Sequence, residues 1–411
     1  MVPTSNPQQT LAPAHAGGAH WSTAALAALM QHAGACVGQS GAPPSQALLF
    51  GIGGGYGAGY SFCPSTTGRA SGVMIPGRHK LYSMEGAFTL GALRRLGLEP
   101  EVRETTSDAA ALKHLRDCLA AGRPALLWVD KNQLSYQALA ERKHSAIYMH
   151  VVLVRALDEE RGRAWVGDEG PGCFEVELDE LARARSGVCS YKRRLASLAP
   201  TRPLSRARLK EAIGAGLEAC VSELTQPRMK GWSPLGFEQW AKLLDNEKNQ
   251  RGWPVLYPDA SLYKALRDVF LCVEVWPGGG GLYRTLYAQF LEEAAELCAR
   301  KRLAKVAPRF AELGERWSAF AESLLPDSWA PLKTAKRLMR KRGALLRDKG
   351  PAGAAAAAKA ARELDEHEER LMAESPFSYA EALDHLRALR AKLEDLIALE
   401  QTALTELARV I

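Results

Sequence analysis

The chain has 411 residues, of which 47% are hydrophobic and 24% charged, with a formal net charge of +7. That is the composition of an ordinary globular protein long enough for two or three domains. No apolar run approaches the ~20 residues needed to span a bilayer, and so mild a positive balance does not argue for nucleic acid.

Residues 1–19 are rich in Pro, Gly and Ala and read as a mobile lead-in. They lack the basic start and apolar block of a secretory signal. The eight cysteines are scattered and form no CxxC pair, so reduced thiols and a cytoplasmic location are expected. Residues 22–34 carry Ala and Leu at helical spacing and stop at Gly34, with Ser22 as the expected N-cap. His20, Trp21 and Ser22 therefore stand where a helix begins. The positive end of a helix lowers the pKa of a thiol or hydroxyl placed there and presents N–H groups to an oxyanion.

A glycine-dense segment, Phe50 to Tyr60, follows. No window in it fits GxGxxG and no Gly-Lys-Ser/Thr follows, so a nucleotide loop is excluded. It reads either as a tightly packed loop or as the lining of a substrate channel beside the 22–34 helix. A helix is expected near 83–96, then strands at 125–130, 148–155 and 163–168. The apolar, β-branched run from Met149 to Val154 suits a strand buried on both faces. The turn-like stretch 157–162 makes an antiparallel hairpin of the last two strands, which can set His150 beside Asp168. A carboxylate there could hold the imidazole tautomer while the other ring nitrogen faces a substrate. The alternative is a hydrogen-bonded core histidine. His20, His79 and His144 show no metal-ligand spacing.

A helix at 178–185 and a Pro-bearing linker near 199–203 close this part. From about residue 204 the chain reads helical: 205–224, 235–244, 259–274, 280–303, 307–325, 329–346, 360–373 and 378–410. A glycine loop at 276–281 interrupts it, and the alanine-rich stretch 350–358 favours helix. Leucines at 383, 386, 389, 393, 396 and 399 form one stripe that packs on a preceding helix or on another subunit. The basic run 333–349 is a solvated face or a docking face for an acidic partner, with the acidic stretch 363–369 as a partner within the chain. Arg284, Glu292 and Glu293 are read as cleft-lining or as ordinary ion-pair residues.

These residues together resemble a known family. The run from His20 through Gly34 and Pro44 to Tyr60 is similar to the N-terminal domain of the butirosin-biosynthesis acyltransferase family, where His-Cys opens a helix and Ser-Glu precedes a Leu-Phe-Gly-Leu-Gly-Gly-Gly segment. Gly122–Asp130, Met149–Val154 and Val166–Asp168 continue the pattern in order. The stretch Gly278–Ala295 resembles the helical domain that follows it. The likeness covers about residues 18–325 and leaves out the tail beyond 330.

The resemblance implies an α+β architecture: a papain-like N-terminal domain with an all-α C-terminal region. The expected organisation is a lead-in at 1–19, the papain-like domain at 20–200, the family's helical domain at 204–328 and a helical tail at 329–411. It implies acyl transfer from a carrier-protein thioester to a small-molecule or peptide amine, in secondary metabolism. His150 matches the base and Asp168 the orienting acid. The nucleophile position falls on Trp21, and the Glu of the Ser-Glu pair is Gln46. Ser22 could replace the nucleophile, or Cys36 or Cys63 could approach from adjoining loops. The alternative is a non-catalytic relative that binds or scaffolds, and a weaker one is a hydrolase on the same fold. His20, Trp21, Gln46, Gly53, Gly54, Gly55 and Tyr56 are the expected substrate contacts. No metal and no resident cofactor are expected, because any phosphopantetheine would arrive on the carrier protein. Neither nucleic acid nor membrane is an expected partner, and the C-terminal helices could form a homo-oligomer.

Overall fold

A computed structural model describes residues 16–38, 41–63, 72–78, 86–138 and 149–411. His79 and His144 lie outside these residues. In chain order the elements begin with helices α1 (Trp21–Ala33) and α2 (Gln46–Ile52), then strands β1 (Ser61–Cys63) and β2 (Gly72–Met74). Next come α3 (Ala87–Arg95), β3 (Glu101–Arg103), α4 (Asp108–Ala120), β4 (Ala125–Asp130), β5 (Met149–Asp158), β6 (Arg163–Gly167), β7 (Phe174–Glu177), α5 (Leu178–Ser186) and β8 (Leu195–Ser197). The remainder is helical: α6 (Arg206–Thr225), α7 (Pro234–Leu244), α8 (Trp253–Leu256), α9 (Ser261–Phe270), α10 (Arg284–Cys298), α11 (Lys301–Leu324), α12 (Ala330–Lys349), α13 (Pro351–Ala373) and α14 (Tyr379–Ala408). The class is mixed α+β, with a helical C-terminal region.

The chain divides into two compact units. The first comprises residues 1–49, 83–212 and 344–359, and the second 50–82, 213–343 and 360–411.

In the first unit a six-stranded antiparallel sheet runs in the order β3-β8-β4-β5-β6-β7. All six residues of β4 are buried, which is why they read as a continuous apolar run rather than an alternating one. One face carries Ala125, Leu127, Val129, Val152 and Val154. Leu115 and Cys118 of α4, Leu181 and Ala184 of α5, and Leu346 and Ala357 pack on it. The alanine-rich segment is thus helical, and its small side chains let a helix lie close to the sheet. Because Val129 pairs with His150 and Leu127 with Val152, His150 ends the same row of side chains, at the margin of the sheet.

The second unit holds the β1–β2 hairpin and the helices from α6 onward, apart from the segments assigned to the first unit. Its core is aromatic: Phe237, Trp240, Trp253, Phe270, Tyr287, Phe290, Phe310 and Trp317 are all fully buried. The leucine stripe of α14 is consumed within this unit, with Leu386, Leu389, Leu393 and Leu396 buried and the helix packed on α11 and α7. Three helices of this unit differ clearly from their expected bounds. The helix expected over 280–303 starts at Arg284 and stops at Cys298, because Ala299 adopts φ 54° and caps it. Helix α11 then begins at Lys301, ahead of the expected 307, and runs through Pro308. Burial of Leu303, Val306, Ala307 and Phe310 holds those first turns, outweighing the ~3 kcal/mol that an interior proline costs. The helix expected to reach 274 ends at Phe270 and widens into a π turn over 271–275.

Candidate active site

The site grows from two places in the first unit: the start of α1 and the outer end of the β5–β6 hairpin. Helix α1 begins one residue earlier than its pattern suggests. Its N-cap is His20, not Ser22, and the imidazole Nδ1 accepts from the Thr23 N–H at 3.3 Å. That acceptor role requires Nδ1 to be unprotonated. The Thr23 hydroxyl donates to His20 O at 3.0 Å. Gln46, first residue of α2, ties this turn down: its Oε1 accepts from the His20 N–H and the Thr23 hydroxyl, and its Nε2 donates to Gly17 O at 2.7 Å. Gly18 N–H in turn donates to Glu169 O. A glutamate at 46 could not donate to Gly17, so the amide matches the bond it makes. Gln46 is therefore a brace for the backbone around His20.

Ser22 is the second residue of the helix and is fully buried. It stands ~100° around the helix axis from Trp21. Trp21 is half-buried, and its indole rests against the His150 imidazole with ring centroids 4.7 Å apart and planes inclined by 40°. His20 and Phe88 complete the aromatic cluster, each ring 5.5 Å from its neighbour. The residue aimed at the imidazole is thus Trp21, which carries no nucleophilic atom.

His150 and Asp168 meet as the hairpin predicts. Leu153 pairs with Gly167, so Asp168 follows opposite Val152, one step along the row from His150. The His150 Nε2 to Asp168 Oδ1 distance is 2.6 Å, and both side chains are buried. Asp168 Oδ1 also accepts from the Glu169 N–H at 2.8 Å. Its Oδ2 accepts from the Tyr136 hydroxyl at 2.8 Å and the Gln137 amide at 2.7 Å. Four donors converge on one carboxylate, which answers the cost of burying it. Burial pushes the Asp168 pKa up, but the imidazole, Lys131 and the Tyr136 hydroxyl outweigh it and hold the carboxyl well below the usual range. Tyr136 is raised well above its ordinary value, by burial first and then by the Asp168 charge, so it remains a donor. Tyr136 stacks on Phe174 at 3.9 Å, which fixes its hydroxyl.

With Nε2 committed to Asp168, Nδ1 is the nitrogen left to face a reacting group. Ligand-type atoms of His150, Asp168 and Glu169 lie within 4.8 Å of one another. In this cluster the imidazole Nε2 is bonded to Asp168 and the Lys131 ammonium stands 2.8 Å from Glu169.

Sequence reasoning missed Tyr136 and Gln137. They sit in a short 3-10 turn, Ser135–Gln137, and the only signal was a polar Ser-Tyr-Gln cluster shortly after an apolar strand. Two alternative nucleophiles can be placed. Cys36 lies beyond the C-cap of α1, ~20 Å along the helix from Trp21. Burial raises its thiol pKa, and the thiol contacts Gly41 O at 3.0 Å. It is a packed thiol, not an activated one. The side chain of Cys63 falls outside the described residues.

Gly53, Gly54, Gly55 and Tyr56 belong to the second unit, whereas His150 and Asp168 belong to the first. Gly55 has φ +70°, and a Cβ there would come 2.5 Å from the Tyr287 ring. Tyr56 is buried beside Tyr287 and Phe310, with the Arg284 guanidinium 4.6 Å from its ring centre. Arg284 was expected at a cleft or as an ordinary surface ion pair; it is fully buried and paired with Glu400 at 2.6 Å. In the acidic stretch 363–369, Glu368 pairs with Arg267 at 3.0 Å. In the basic run, Lys336 and Arg340 pair with Glu322.

Residues 20–169 match the family described as Butirosin biosynthesis protein H, N-terminal, and residues 179–407 match a domain of unknown function. The chain belongs to the butirosin biosynthesis protein H family. The second match extends through the tail that the sequence resemblance left uncovered, and the first contains every residue of the His150–Asp168 cluster. No curated protein matches the chain significantly. Among the described residues no helix is long and apolar enough to cross a membrane.

Proposed function

We propose that this protein transfers an acyl group from a carrier-protein thioester to an amine in secondary metabolism, with His150 as the base and Asp168 as its orienter. The observation that carries this reading is the buried imidazole–carboxylate pair, its carboxylate held by Tyr136, Gln137 and the Glu169 N–H. A purely structural core histidine has no need of a carboxylate organised by four donors. In this reading residues 20–200 are the papain-like acyltransferase domain, residues 204–328 the helical domain and 329–411 its tail. The protein works in the cytoplasm and needs no resident cofactor, since phosphopantetheine comes with the donor.

A second reading is favoured by one contact. The Trp21 indole, 4.7 Å from the imidazole, fills the place of the family thiol, and a relative of this kind would bind the acyl carrier without turning it over. The test is thiol release from an acyl-phosphopantetheine carrier protein with an amine acceptor, comparing wild type with His150→Gln. His150-dependent release supports the transferase. Carrier binding with no release above the His150→Gln background supports the binding module and sinks the transferase.

A further inference from the structure

We infer that acyl transfer at this centre is a single displacement with no acyl-enzyme. The inference rests on the transferase reading above and concerns how that reaction proceeds. Three placements carry it. The residue aimed at His150 is Trp21, which cannot be acylated. Ser22 is fully buried and stands a third of a turn around the helix from it. Cys36 lies at the far end of α1 and its thiol pKa is raised by burial. Among the described residues, what remains is a base that needs no nucleophile of its own.

Imidazole nitrogens point in the plane of the ring. A tryptophan leaning on the ring therefore acts as a wall, while Nδ1 is directed away from Asp168 along the ring plane. The acceptor amine, held against the indole, gives its proton to His150 Nδ1 as its nitrogen attacks the thioester carbonyl. The new C–N bond forms, the C–S bond breaks, and the imidazolium returns the proton to the departing thiolate. Amide and thiol are the products, and the histidine ends neutral. Asp168 stabilises the transient imidazolium, with Tyr136 and Gln137 as positioning residues for the carboxylate. The substrate class follows: a neutral amine meeting a thioester in one ternary complex.

The full-length protein, an acyl-phosphopantetheine carrier protein as donor and a primary amine as acceptor make the test. Without acceptor, wild type should release no stoichiometric burst of thiol, and intact mass should show no acyl adduct. Initial rates against both substrates should give intersecting double-reciprocal lines. Ser22→Ala, outside the machinery, should stay within about twofold of wild type, and His150→Gln should lose ~10²–10⁴-fold. Thermal unfolding of His150→Gln separates lost chemistry from lost fold. A burst, an adduct or parallel lines, with His150-dependent turnover intact, overturn the single displacement and leave the transferase standing. Absence of any His150-dependent thiol release overturns both.

Discussion

Tyr136→Phe isolates one bond of the carboxylate cage. The substitution keeps the ring, and so its 3.9 Å stack on Phe174, but removes the 2.8 Å hydroxyl bond to Asp168 Oδ2. A hydrogen bond to a charged group is worth about 1.5–3 kcal/mol, and three donors remain. Linkage gives a second route to the same quantity. The Tyr136 hydroxyl is one cause of the depressed Asp168 pKa, so its loss raises the folded-state value, at about 1.4 kcal/mol per pKa unit. The sign follows from the depression. A carboxylate whose folded pKa lies below its unfolded one stabilises the fold above the unfolded pKa of ~3.9, and that stability is lost as pH falls through the folded value. The variant should therefore lose about 1.5–3 kcal/mol at pH 7, and the deficit should shrink only as pH falls through the variant's own folded-state Asp168 pKa, because protonation of the unfolded chain is common to both proteins. Urea unfolding of the first unit at several pH values reads this directly. An Asp168 carboxyl that titrates at the same pH in the folded variant as in folded wild type, followed by NMR, would mean that the hydroxyl acts by packing alone, and the account of a charge-holding cage would be wrong.

Trp21→Cys should place a thiol within reach of His150. Iodoacetamide should label it at pH 7 at least tenfold faster than it labels the double variant carrying His150→Gln, because a neighbouring imidazole stabilises thiolate. Gly55→Ala in the second unit forces an L residue into φ +70° and drives its Cβ to 2.5 Å from the Tyr287 ring. A loss of about 2–5 kcal/mol is expected from backbone strain and overpacking together, read as a lower midpoint in denaturant. Glu400→Ala leaves the fully buried Arg284 without its carboxylate and the Trp317 N–H without its 2.6 Å acceptor, for a loss of about 3–5 kcal/mol. Glu400→Gln should lose less, because both donors bond the same oxygen, Oε1, which an amide retains.

Which parts of this architecture were legible from residues alone follows from where the deciding forces act. Strand β4 was found to the residue, since a five-residue apolar run closed by an aspartate and bounded by turn residues has few other homes. The β5–β6 hairpin was visible too, and with it the meeting of His150 and Asp168, because period-2 alternation and a short turn fix which side chains share a face. Helix α4 was missed although Ser107 caps it. It buries only Ala111, Leu115 and Cys118, and a stripe that sparse reads as polar loop. The three-residue strands β1, β2, β3 and β8 escaped because strands so short carry no period, and pairing with distant partners creates them.

The site divides along the same line. His150, Asp168 and Trp21 could be placed because strand register and helix phase are local. Tyr136 and Gln137 could not, because their role is set by a turn 31 or more residues away from Asp168 in sequence. The start of α1 shows the difference most sharply. Ser22 is by type the better N-cap, and propensity alone selects it. In the structure His20 takes the cap, two residues earlier, where contacts from Gln46 and the Thr23 hydroxyl hold the backbone. In this arrangement the Trp21 indole leans on the His150 imidazole and Ser22 is fully buried. The first turn of α1, and with it the placing of Trp21, is thus held by contacts that no local pattern in residues 20–34 displays.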